Sequence, residues 1–166
     1  MLGDNIMEEQ SSRSKKSSPK LTETFVKRQL LFDLGREISG TWNEEEVRVE
    51  KPFTIIKYEF PIYIDGRSHG QVDFVIKYRQ YFYFLESKIT DSGFNAFWDA
   101  SKVLAYTKIH NYFNHKRYKP AVLLKYEEIT TALQKAAAIM GLELFGVYWS
   151  ENEEKLIIEN IFERRQ

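Results

Sequence analysis

Apolar residues recur along this chain with two different spacings. Over residues 22–38, Phe25, Leu30 or Leu31, Leu34 and Ile38 fall on one helical stripe, Thr22 is placed to cap its start and Gly40 to stop it. Gly35 interrupts that stripe. The spacing then changes. Residues 46–51 and 53–64 are rich in Val, Ile, Phe and Tyr and read as strands, broken near Pro52 and disturbed at Pro61. Asp65-Gly66 is a turn signal, and residues 70–77 and 81–88 follow as the two arms of a β-hairpin around a short polar break. In the second arm Phe82, Phe84, Glu86 and Lys88 share one face, while Tyr81, Tyr83 and Leu85 share the other. A strand apolar on both faces is expected in the middle of a sheet, covered on both sides. The carboxylate and the ammonium at its end then need a reason to be there, because an unpaired buried charge is costly.

Asp91-Ser92-Gly93 separates this hairpin from a long helical pattern over residues 94–113. Trp98, Lys102 and Tyr106, each four apart, lie on one face of it. Residues 120–126 read as a strand. Ile129, Leu133, Ala136 or Ala137 and Met140 mark a helix ending at Gly141. Residues 142–149 and 155–162 read as a final pair of strands. The order helix, strands, helix, strand, helix, strand, strand predicts an α/β fold of the α+β kind, a mixed sheet flanked by helices. Residues 21–166 form one domain on this reading, and residues 1–20, with Ser11-Ser12-Arg13-Ser14-Lys15-Lys16-Ser17-Ser18-Pro19, form a polar, basic arm too poor in apolar surface to order itself.

Composition narrows the class. Of 166 residues, 43% are hydrophobic and 29% charged, which is ordinary for a globular chain. There is no apolar run of membrane-spanning length and no apolar core of a signal peptide, so no membrane partner and a cytoplasmic location are expected. The absence of Cys excludes disulfides and thiolate metal sites. With 24 basic and 24 acidic residues the formal net charge is zero, so a nucleic-acid partner has to be met by a local patch. The candidates are the arm, Lys102 with Lys108, and the stretch His110, His115, Lys116, Arg117 and Lys119, which also reads as an ordinary solvated helix end.

Gly70-Gln71-Val72-Asp73 on one arm of the hairpin, with Glu86-Ser87-Lys88 closing the other, resembles the core motif of the PD-(D/E)XK nuclease superfamily. Gly70-x-x-Asp73 is similar to its RecB-like form, and the chain also resembles the Holliday-junction-resolvase-like branch. The resemblance spans roughly residues 22–126. It implies a restriction-endonuclease-like αβββαβ core with a C-terminal helix and strand addition, and hydrolysis of DNA phosphodiester bonds with Mg²⁺, or Mn²⁺, as cofactor. Asp73, Glu86 and the backbone carbonyl of Ser87 would be the metal ligands, with Asp73, Glu86 and Lys88 catalytic; carboxylate and carbonyl oxygens are the donors such hard ions take. The superfamily often adds an acid from the first helix, here Glu23 or Glu37, with junction-resolvase relatives pointing to Glu23. RecB-like nucleases carry Gln-x-x-x-Tyr on the next helix; Tyr106 matches its Tyr and Lys102 stands in place of its Gln. Gln71 and His69, on the strand face of Asp73, are further accessory candidates. Read without the resemblance, Glu86 with Lys88 is a surface ion pair and Glu23 a first-turn carboxylate suited to the helix dipole. The second functional class is a non-catalytic module on the same fold that binds nucleic acid or protein. The C-terminal aromatics would allow a homodimer.

Overall fold

A computed structural model describes residues 18–35, 46–90 and 92–163. Seven strands make one mixed sheet: β1 (Arg48–Glu50), β2 (Thr54–Ile64), β3 (Arg67–Tyr78), β4 (Tyr81–Lys88), β5 (Lys119–Lys125), β6 (Glu143–Ser150) and β7 (Lys155–Asn160), in the order β1-β7-β6-β5-β4-β3-β2. β2, β3 and β4 are an antiparallel meander, β5 and β6 continue parallel to β4, and β7 turns back antiparallel to β6. β1 closes the far side, parallel to β7. The class is α/β, as the alternating patterns predict.

The helices are α1 (Glu23–Leu31), α2 (Gly93–Ala100), α3 (Lys102–Asn114) and α4 (Thr131–Met140). Two apolar layers sandwich the sheet. In one, Val26, Leu30 and Leu31 of α1 cover Phe74, Leu85, Leu123 and Phe145. In the other, Phe97, Val103 and Leu133 from α2, α3 and α4 cover Val75, Phe84, Val122 and Leu144. Phe84 and Leu85 are both fully buried, one in each layer, so β4 is the central strand its two apolar faces required. Thr22 caps α1 by accepting a hydrogen bond from the Phe25 N–H at 3.1 Å, and Thr130 caps α4 by accepting from Leu133 N–H at 3.2 Å. Among the described residues no helix is long and apolar enough to cross a membrane.

Two boundaries differ from the sequence reading. The first helix does not run on to residue 38: α1 gives way to a 3₁₀ turn over Phe32–Leu34, and Gly35, at φ 57°, ends it in the left-handed conformation that only Gly adopts without cost. Glu37, Ile38, Gly40 and the arm through residue 17 lie outside the described residues. The long second helix is divided at Ser101, whose hydroxyl donates to the Trp98 carbonyl at 2.8 Å and competes there with the helical ladder.

Candidate functional site

The site begins with a fault in the sheet. Side chains two apart on a strand share a face. On β3, Phe74 and Ile76 obey this and belong to the α1 layer, but Val72, two before Phe74, lies in the opposite layer. The neighbouring strand breaks at the same level: Tyr58 packs against the α1 layer and Phe60 against the other, and between them Glu59 has φ 51°. The pairs Tyr58–Phe74 and Phe60–Val72 flank the break, so the fault runs across both strands through Glu59 and Asp73. The β3–β4 ladder reaches as far as Phe74–Leu85. Just past that pair, Asp73 and Glu86 face each other across a fork.

The two carboxylates bind reciprocally to the opposite backbone. Glu86 Oε1 accepts from the Asp73 N–H at 3.1 Å, and Asp73 Oδ2 accepts from the Ser87 N–H at 2.9 Å. Each also meets a lysine, from opposite layers. Lys27 of α1 donates to Asp73 Oδ1 at 3.0 Å, and Lys102 of α3 lies 3.8 Å from Glu86 Oε2. The spacing of 13 residues in a tight hairpin thus brings together the acids that the sequence singled out.

Their charges are unequally placed. Glu86 keeps only 7% of its side chain exposed. Burial first, and the Asp73 carboxylate second, push its carboxyl up to about 7, against the weaker pull of Lys102. On the other flank, burial alone would lower the Lys27 pKa, but Asp73 and Glu23 together outweigh it and raise it, so Lys27 is a firm cation. The Ser87 hydroxyl is buried and has no hydrogen-bond partner among the described residues.

The remaining candidates fall around this fork. Glu23 reaches it: one oxygen lies 3.3 Å from Lys27 Nζ and the other accepts from the Ile89 N–H, at the end of β4. Lys88 points to Asp99 of α2 at 3.8 Å and is partly exposed. The Tyr106 hydroxyl comes close to Gly70, where a Cβ would stand 3.4 Å from it. Gly70 has φ 89°, so the residue three before Asp73 is held in a conformation that favours Gly. Gln71 and His69 are exposed. Among the described residues no three His, Asp or Glu side chains gather closely enough to hold one ion by side chains alone.

The basic stretch needs one correction. His110 is not a surface cation: it is 3% exposed, ringed by Phe60, Phe84 and Tyr118, and its Nδ1 accepts from the Tyr63 N–H at 3.1 Å. Burial, helped by Lys116, lowers its pKa and keeps the ring neutral. His115, Lys116, Arg117, Lys119, Lys102 and Lys108 do remain exposed.

Sequence reasoning did not find Lys27. Its signal was local and ordinary, a Glu–Lys pair four apart on a helix, which reads as a solvated surface pair. Its decisive partner, Asp73, is 46 positions away. Compared with known proteins, the chain matches no family model, no curated protein and no solved structure.

Proposed function

We propose that this chain is a nuclease of the PD-(D/E)XK type, hydrolysing DNA phosphodiester bonds with a divalent metal ion, and that it works in the cytoplasm. The reading rests on one observation: two acids from adjacent strands stand just past the last pair of the β3–β4 ladder, each bound to the other strand's backbone across a fork. A purely structural ion pair gives no reason for a buried carboxyl held at about 7 beside a second carboxylate. Such a pair favours a cation.

The donors suit Mg²⁺ or Mn²⁺. Asp73, Glu86 and the Ser87 carbonyl would hold the ion, all of them hard oxygens. When bound, the ion supplies Lewis-acid activation of the phosphoryl group and of a water molecule. The chain's own groups do the rest. Lys88, two residues beyond Glu86, orients the attacking water and stabilises developing negative charge. Its exposed pairing with Asp99 is weak enough to be given up at a cost under about 1 kcal/mol. Lys102 receives a phosphate as a point charge, without the directed bonds of an amide.

The test is cleavage of duplex, single-stranded and branched DNA, and of RNA, by the purified chain in Mg²⁺, Mn²⁺ or EDTA. Activity is expected with either metal and none in EDTA, and Asp73→Ala, Glu86→Ala and Lys88→Ala are each expected to abolish it in folded protein. Cleavage in EDTA, or any of these variants cutting at the wild-type rate, refutes the assignment. Binding of DNA without cleavage under every condition favours the non-catalytic module instead.

A further inference from the structure

Glu23 and Asp73 are built around a single cation. Each carboxylate gives one oxygen to a backbone N–H at the end of β4, Asp73 to Ser87 and Glu23 to Ile89. Each turns its other oxygen to the same ammonium, Lys27 Nζ, at 3.0 Å for Asp73 and 3.3 Å for Glu23. The backbone bonds fix both acids, so the gap between them is set by the sheet and not by the lysine. All three side chains are largely withdrawn from solvent, with 26% of Lys27, 18% of Asp73 and 31% of Glu23 exposed. A lysine on the outer face of a helix would ordinarily extend into water. This one turns inward.

We infer that Lys27 is a tethered cation that takes the position between Glu23 and Asp73 which a second divalent ion would otherwise occupy, so that the site holds one divalent ion. The inference rests on the nuclease reading for the first ion, which belongs to Asp73 and Glu86. An Mg²⁺ or Mn²⁺ ion needs oxygen ligands at roughly 2.1 Å. The oxygens facing the gap between Glu23 and Asp73 are already turned to Lys27, and a divalent ion placed there would stand against its ammonium, two like charges in one small space. Lys27 is therefore a positioning residue: it holds Asp73 and neutralises the side of the pair that Glu86 does not face. Removing the ammonium leaves two fixed carboxylates with no counter-charge, which is a vacant cation site.

The experiment is titration of the full chain with Mn²⁺ alone, followed by calorimetry and by the electron-spin signal of the free ion. One Mn²⁺ per wild-type chain is expected, two per Lys27→Ala chain, and one again in the Glu23→Gln, Lys27→Ala double variant. Lys27→Met, which keeps the aliphatic stem, guards against a folding defect and is expected to gain the second ion as well. Two ions on the wild type overturn the inference. So does failure of both Lys27 variants to gain one while the wild type binds one through Glu86, and that result leaves the nuclease reading intact. Conversely, a wild type that binds no ion while Lys27→Ala gains one dependent on Glu23 overturns the metal site of the nuclease reading and upholds Lys27. No ion on any variant overturns both.

Discussion

Replacing Glu86 with Gln is expected to stabilise the metal-free protein, and to do so only at neutral to alkaline pH. The Glu86 carboxyl is raised from its ordinary 4.5 to about 7 in the fold, so the folded state disfavours its ionised form. The cost is absent below the unfolded value and grows as pH rises, reaching its full size above about 7. At about 1.4 kcal/mol per unit, the shift corresponds to roughly 3 kcal/mol at about pH 8 and under 1 kcal/mol at about pH 5. Gln keeps an oxygen for the Asp73 N–H, and the attraction of Lys102, which is 55% exposed at 3.8 Å, is already contained in the shift. The expectation is a gain of roughly 3 kcal/mol at about pH 8, or about 6–12 °C in Tm, and under about 1 kcal/mol at about pH 5. Urea denaturation of both proteins in EDTA at the two pH values measures it. Taking the difference between proteins, then between pH values, removes the other titrating groups. A variant less stable than wild type at the higher pH, or a difference that does not change with pH, refutes the electrostatic account.

Gly93→Ala is expected to cost more than about 2 kcal/mol in the same denaturation assay, because the new Cβ would stand 2.6 Å from the Glu128 backbone carbonyl, which cannot rotate away as a side chain would. Thr130→Ala removes the hydroxyl that accepts from Leu133 N–H and should cost about 1 kcal/mol, whereas Thr130→Asp should restore most of it. For the proposed DNA partner, roughly three to five phosphate contacts give a slope of about −2.7 to −4.5 in log affinity against log salt, and Lys102→Ala should reduce its magnitude by about one. Filter or anisotropy binding with Ca²⁺ in place of Mg²⁺ reads the slope, and a flat salt dependence in the wild type removes DNA as the partner.

Much of the fold was legible because its strongest signals are local. β4 was delimited correctly from its alternation alone, since a central strand is apolar on both faces and ends where charge begins. The pairing of Asp73 with Glu86 followed from a short hairpin, whose register the turn constrains. What was not legible depends on distant partners. Lys27 looks like any helix-surface lysine until Asp73 arrives from another element. His110 sits among basic neighbours in sequence but is closed in by aromatic rings from β2, β4 and the segment before β5. The break at Ser101 turns on a single hydroxyl choosing a carbonyl, a choice that propensity does not resolve. Pro61 did flag a disturbance in β2, but the fault that serves the site lies two residues earlier, at Glu59, whose sequence gives no warning of a positive φ.

The same fault has a bearing on how this protein avoids its neighbours in a crowded solution. β2 ends the sheet, and an exposed edge of eleven residues would be a template on which another chain could add a strand. Here Pro61 offers no amide hydrogen, the register slips between Ile55 and Lys57 and again between Pro61 and Tyr63, and Glu59 bends the strand out of line. Lys57 and Glu59 add exposed charges along it. A strand arriving at this edge would find a few bonds in register, then a gap. The irregularity that frees Asp73 from the ladder also leaves the border of the sheet a poor seed for aggregation, so selection for one would retain the other.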